Sequence, residues 1–136
     1  MERALCDTVA LLARVEPRDQ FHARARDVAD RFVSSGGRFV GTTAILTELS
    51  NLLLVRHGPE RTAQGLAVLL SDETCRWVDV DLVLVRDSLG NWLERYADQR
   101  FSLTDAISFE VMRREGIRRA FSFDQHFVTA GFTLLD

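Results

Sequence analysis

Apolar positions along the chain follow two different periods. Short β-prone runs, "ALC" (4–6), "RFVGT" (38–42), "CRWVDV" (75–80), "AFSF" (120–123) and "FTLL" (132–135), predict strands. Between them the spacing becomes helical, with Phe21, Ala25, Val28 and Phe32 in one stretch and Ile45, Leu49, Leu52 and Leu53 in the next. Leu82, Val85, Leu89, Trp92, Leu93 and Tyr96 form a third. Each stretch carries one apolar face. "SSGGR" (34–38) and "HGPE" (57–60) predict turns that close helices. A further helix is predicted in "FSLTDAISFEVMRR" (101–114), where Ser102 and Asp105 have the spacing of a capping box. Strands alternating with helices predict an α/β domain, a parallel sheet covered by helices. No repeat, low-complexity segment or linker interrupts residues 1–136, so one domain is expected.

Composition narrows the class. A chain of 136 residues with 46% hydrophobic and 27% charged residues can bury a sizeable core, which excludes disorder. No apolar run approaches the roughly 20 residues of a membrane span. "MERALCDTVALLA" carries acids where a signal peptide needs a basic start, so a cytoplasmic protein with no membrane association is expected. Cys6 and Cys75 are too few for a disulfide scaffold and lack metal-ligand spacing, which makes them small core residues of a reducing compartment. The formal charge of −3 argues against attraction of nucleic acid to the whole surface, yet leaves room for a local basic patch beside an acidic pocket. Every basic residue is arginine. Mechanisms that require a lysine are thereby excluded, while bidentate contacts to phosphate stay available.

Ligands of open α/β sheets bind beyond the carboxyl ends of the strands, which singles out the acids that follow each run. Asp7 follows "ALC", Asp124 follows "AFSF", Asp105 opens a helix, and Glu48 lies in the second turn of the helix after "RFVGT". Asp7, Asp105 and Asp124 each stand near a helix start, where aspartate is also favoured as a cap, so cap and catalyst both stand for each of them. Glu48, three residues after Ile45 and four before Leu52, falls on or at the edge of a buried stripe, where an unpaired carboxylate is expensive. Converging carboxylates repel one another unless a cation neutralises them. In a chain without lysine that cation is arginine or a metal. An all-oxygen set favours Mg²⁺ or Mn²⁺ over zinc, and with open coordination positions suits metal-assisted phosphodiester hydrolysis. "DVD" (79–81) imitates a haloacid-dehalogenase phosphatase motif, but it follows the third strand and no downstream lysine exists, so Asp81 is read as a helix cap. His22 in "RDQFHARA" and His126 in "FDQHF" could assist a metal or phosphate, though solvated positions on helix surfaces are the favoured reading.

Together, "LCDTVALLA", "TTAILTEL", "FSLTDAISFEVMRREGI" and "AFSFDQHFVTAGF" resemble the four acidic motifs of PIN-domain nucleases, and most closely VapC-like toxins of toxin–antitoxin pairs. The resemblance runs in order over nearly the whole chain. It implies a three-layer α/β/α sandwich around a parallel sheet of strand order 3-2-1-4-5. On that order the strands bearing Cys6 and Cys75 are not neighbours, and two strand spacings of about 4.8 Å exceed the Cα reach of a disulfide. The resemblance also implies cleavage of RNA dependent on Mg²⁺ or Mn²⁺, with Asp7, Glu48, Asp105 and Asp124 binding the metal and activating water. Thr8 matches the hydroxyl residue after the first aspartate. Arg113 and Arg114 are candidates for holding the RNA backbone, against the alternative of a solvated helix face.

An antitoxin protein is the implied partner, able to use the acidic pocket by inserting an arginine or displacing metal. Some PIN domains work in RNA maturation or decay without one, and a non-catalytic PIN-like module that receives a partner's arginine is the alternative from another class. Apolar residues at helical spacing such as Leu66, Leu69 and Leu70 add the expectation of a homodimer.

Overall fold

In the computed structural model, which describes residues 1–136, five strands pair in parallel in the order β3-β2-β1-β4-β5. They are β1 (Arg3–Cys6), β2 (Arg38–Thr42), β3 (Cys75–Val78), β4 (Arg119–Phe121) and β5 (Thr133–Leu134). Ala4, Leu5 and Cys6 of the central strand are wholly buried, the apolar run expected of a strand covered on both faces. Helices flank the sheet, which gives the expected three-layer α/β/α sandwich. They are α1 (Thr8–Val15), α2 (His22–Ser34), α3 (Thr43–Ser71), α4 (Leu82–Ser88), α5 (Leu103–Glu115) and the short α6 (His126–Thr129). No helix is long and apolar enough to cross a membrane.

Local chemistry sets the helix ends. Thr42 Oγ1 accepts the Ile45 amide at 3.2 Å and Asp81 Oδ1 the Leu84 amide at 2.8 Å, so Asp81 is the cap its sequence context predicts. The capping box of α5 forms in both directions, and Gly116 ends that helix in the left-handed conformation at φ 67°.

Two helices depart from expectation. "HGPE" bends α3 instead of closing it: Gly58 leaves helical geometry at φ 81°, and Pro59, whose missing amide costs nothing in a first turn, lets the helix resume. The third predicted helix divides into α4 and a π-helical stretch, Leu89–Glu94, which sets Asn91 and Trp92 against a carboxylate of α5.

The core centres on Phe109 of α5, whose buried ring meets Phe101, Trp92 and Phe127 at centroid distances of 5.0, 5.1 and 5.1 Å. Cys6 and Cys75 are both free and lie on strands separated by β2, as expected. Their thiols nonetheless meet at 3.7 Å. Side chains bridge what backbones do not: the Cys6 thiol leans over β2, 3.5 Å from the Val40 carbonyl. The contact with Cys75, and then burial, push the Cys6 thiol well above its ordinary pKa.

Candidate metal centre

The carboxyl ends of the adjacent strands β1 and β4 build the site. Asp7 follows β1 directly, and its amide donates to the Phe121 carbonyl at 3.0 Å, which holds the two strand ends together. Asp7 occupies the N-cap position of α1, yet its side chain makes no capping bond. The carboxylate instead accepts the Ser122 hydroxyl at 2.9 Å, with the residue 5% exposed. Ser122 Oγ in turn accepts the Asp124 amide at 3.0 Å, so one hydroxyl joins the two acids. Burial raises Asp7 to about 7 against the pull of the Ser122 hydrogen bond, and the charges of Asp105 and Asp124 add to the rise.

Asp124 divides its oxygens. Oδ1 accepts the His126 amide at 2.9 Å in a tight turn, while Oδ2 lies 3.5 Å from His126 Nδ1. The same imidazole nitrogen is 3.2 Å from Asp105 Oδ2, which also accepts the Ser102 amide at 3.1 Å. Asp105 therefore is a cap and belongs to the acid group at the same time. One ligand atom each from Asp105, Asp124 and His126 fall within 4.8 Å of one another. Two carboxylates and an imidazole suit a divalent cation such as Mn²⁺, and carboxylates alone suit Mg²⁺. Two buried hydroxyls lack a hydrogen-bond partner in the protein: Thr8 Oγ1, next to Asp7, and Ser108 Oγ, one turn beyond Asp105. The unpartnered Thr8 hydroxyl, on the residue after Asp7, fits a hydrated cation among these acids.

The structure thus brings Asp7, Asp105 and Asp124 to one sheet edge. Glu48 is half-buried on α3, makes no hydrogen bond or ion pair, and stands outside the group of three close ligand atoms. Sequence reasoning missed Ser122 and ranked a metal-assisting role for His126 below a surface one. A hydroxyl between "AF" and "FD" carries no periodic signal, and a histidine two residues after an aspartate reads as surface until the fold turns it toward α5. His22 is likewise no free surface residue: its Nδ1 lies 2.8 Å from the Ala13 carbonyl and ties α2 to α1.

Arg113 and Arg114 are engaged elsewhere, which counts against free contacts to a phosphate backbone. Arg113 Nη2 donates to Glu110 Oε2 at 2.6 Å and Arg114 Nε to the same oxygen at 3.1 Å, while Arg114 also pairs with Asp87. Glu110, fully buried, further accepts Asn91 and Trp92. Burial by itself would raise its pKa; the hydrogen bonds, led by Arg113, outweigh burial and hold it at about 2. A buried carboxylate in an otherwise apolar stretch, "AISFEVM", is the signal that could have exposed this network.

No family model matches the chain. Over 89 residues, 65% of its length, it is 36% identical to the 23S rRNA-specific endonuclease VapC20 of Mycobacterium tuberculosis, and the match spans 66% of that relative. The crystal structure of M. tuberculosis VapC20, a sarcin–ricin loop cleaving toxin, superposes over 95% of both chains with a TM-score of 0.82 and 31% identity. VapBC2 from Rickettsia felis, solved with a fragment of promoter DNA, covers 97% of this chain and 96% of its own, with TM-score 0.69 and 12% identity. FitAcB from Neisseria gonorrhoeae covers 98% and 96%, with TM-score 0.63 and 11% identity. At those identities the last two show the fold alone. The chain belongs to the VapC-like PIN-domain toxin family.

Proposed function

We propose that this protein is a metal-dependent endoribonuclease of the VapC type, acting in the cytoplasm on a structured loop of large-subunit ribosomal RNA. The observation that carries the reading is the meeting of Asp105, Asp124 and His126 ligand atoms within 4.8 Å, at the sheet edge where Asp7 is joined to Asp124 through Ser122. The likeness to VapC20 over most of both chains supports the substrate class.

In this reading Asp7, Glu48, Asp105 and Asp124 hold Mg²⁺ or Mn²⁺, with Thr8 beside them. A bound cation would polarise the scissile phosphate and lower the pKa of a coordinated water. The chain's own residues fix the geometry. Ser122 orients Asp7, the Ser102 amide orients Asp105, and the turn at Asp124 aims one carboxylate oxygen at His126. Glu48, unpaired in the protein, completes the set from α3. An antitoxin chain is the protein partner, and the exposed apolar residues Leu54, Val55, Val68 and Leu70 of α3 support a homodimer.

The test is cleavage of an RNA hairpin carrying the sarcin–ricin loop sequence, against a scrambled loop, in Mg²⁺, in Mn²⁺ and in EDTA. Cleavage of the intact loop that EDTA abolishes, and that a Glu48→Gln, Asp124→Asn double variant lacks, is expected. Equal cleavage by that double variant would sink the nuclease reading. Equal cleavage of both loops by the wild type would sink the substrate class.

A further inference from the structure

A cleft of about 490 Å³ lies away from the acids, between the end of α1 and the bend of α3. Arg18, Arg56 and Arg61 line it, all exposed and without an ion pair in the protein. Arg3, Arg76, Arg113, Arg114 and Arg119 are by contrast paired with carboxylates. What distinguishes Arg18, Arg56 and Arg61 from other unpaired arginines such as Arg24, Arg26 and Arg86 is that they line one cleft together. The lining holds one acid, Glu16, and it is turned inward: the residue is 9% exposed and its Oε2 lies 2.7 Å from His57 Nε2. The cleft therefore presents cations.

The bend at Gly58 makes this possible. At about 100° per residue, positions five apart on an unbroken helix point some 140° from one another, so Arg56 and Arg61 would face different sides. Gly58, at φ 81°, breaks the helix between them, and both side chains line one cleft. The Glu16–His57 contact then ties the bend to the end of α1. The two walls lead back to the acids. Arg56 stands eight residues beyond Glu48 on α3, and Val15 eight beyond Asp7 on α1, roughly 12 Å of helix in each case.

We propose that this cleft is a second binding site for the RNA substrate, in which Arg18, Arg56 and Arg61 hold phosphodiester groups of the strand a few nucleotides from the scissile bond. The inference rests on the ribonuclease reading above. Charge complementarity favours RNA over a protein occupant: guanidinium groups bind phosphate oxygens bidentately, whereas protein interfaces centre on apolar anchors and here only Val15 and Pro17 are offered.

The experiment measures binding of a fluorescein-labelled RNA hairpin by anisotropy, in EDTA, across a salt series. An Arg18→Gln, Arg56→Gln, Arg61→Gln variant is compared with wild type and with an Arg24→Gln, Arg26→Gln, Arg86→Gln variant of equal charge. The cleft variant should bind more weakly, and its slope of log affinity against log salt should be shallower by about 2, since each phosphate contact on a single strand contributes about 0.7. If the triple variant does not fold, Arg18→Gln alone, in the loop after α1, should flatten the slope by about 0.7. An unchanged slope, or an equal loss in the charge-matched variant, overturns the proposal. So does a cleft variant that keeps RNA but loses a polyglutamate peptide, which would assign the cleft to an acidic protein. Cleavage is scored separately. A wild type that cleaves while the cleft variant binds normally ends this proposal alone, and cleft-dependent binding without cleavage ends the nuclease reading alone.

Discussion

Asp105 Oδ2 lies 3.2 Å from His126 Nδ1 while accepting the Ser102 amide at 3.1 Å. A single oxygen thus serves a helix cap and a charged cluster, and substitution separates the two roles. Asp105→Asn keeps an oxygen for the Ser102 amide but removes the charge. In EDTA the variant should melt no lower than wild type, because lost repulsion offsets the weaker cap. It should lose most of the stabilisation given by saturating Mn²⁺, which follows RT ln(1 + [L]/Kd), and should not cleave RNA. A lower melting temperature in EDTA with a full Mn²⁺ shift and normal cleavage would make Asp105 a cap only.

His126 stands between two carboxylates and, in the proposed site, tunes the cation they would hold. His126→Ala is expected to raise the Kd for Mn²⁺, measured calorimetrically, by about 10- to 100-fold. Wild-type Mn²⁺ affinity in the variant would return His126 to the helix surface.

Asp7 makes the stability of the metal-free protein depend on pH. Its folded pKa of about 7 lies above that of the unfolded chain, near 4, so between these values the folded state binds more protons. Stability should therefore fall as pH rises from about 4 to 7, by up to about 1.4 kcal/mol per unit from this group. Thermal melts in EDTA of wild type and Asp7→Asn should converge at low pH and separate in favour of the variant toward neutrality. Ser122→Ala, which removes the hydrogen bond that holds the value down, should extend the wild-type decline to higher pH. Parallel melting curves for wild type and Asp7→Asn would contradict the assignment.

Glu110 should show the opposite sign. Its folded pKa is depressed to about 2, so its contribution is complete above the ordinary carboxylate range and is lost as pH falls through that value. Glu110→Ala leaves the Trp92 indole, the Asn91 amide and the Arg113 guanidinium without their acceptor, and Arg114 with Asp87 alone, and should cost about 3 kcal/mol in urea melts at neutral pH. The Mn²⁺-induced shift should survive, since Glu110 lies outside the proposed metal group of Asp105, Asp124 and His126. A lost shift would place Glu110 in the site's support.

Val55 and Leu70 are 87% and 61% exposed on α3, more apolar surface than a helix usually leaves to water. Light scattering at micromolar concentration should give a dimer mass, and a Val55→Asp, Leu70→Asp variant a monomer. A wild-type monomer with intact cleavage would reject the dimer.

Local rules were enough for much of this molecule. Alternating strand and helix periods marked the parallel sheet, because a strand covered on both faces and a helix covered on one bury apolar residues at different intervals. β1, β2 and the cap residues Ser102 and Asp81 were legible for the same reason: each depends on contacts a few residues apart. Segment ends were less so, and β3, β4 and β5 proved shorter than their apolar runs. The bend at Gly58 looked like a stop, since Gly-Pro breaks one helix whether or not another begins. The acids were visible singly as Asp7, Glu48, Asp105 and Asp124, but their roles were not. Cap and ligand place the same residue type at the same position, and only the packing of α5 and α6 on the β1–β4 edge brings Asp105 to His126. Arg113 and Arg114, three and four residues after Glu110 on one helix, meet it by helical period alone. Ser122 under Asp7, the thiols of Cys6 and Cys75 across β2, and Asn91 and Trp92 against Glu110 belong to the tertiary structure, because these partners are far apart in sequence and no local period encodes such distances.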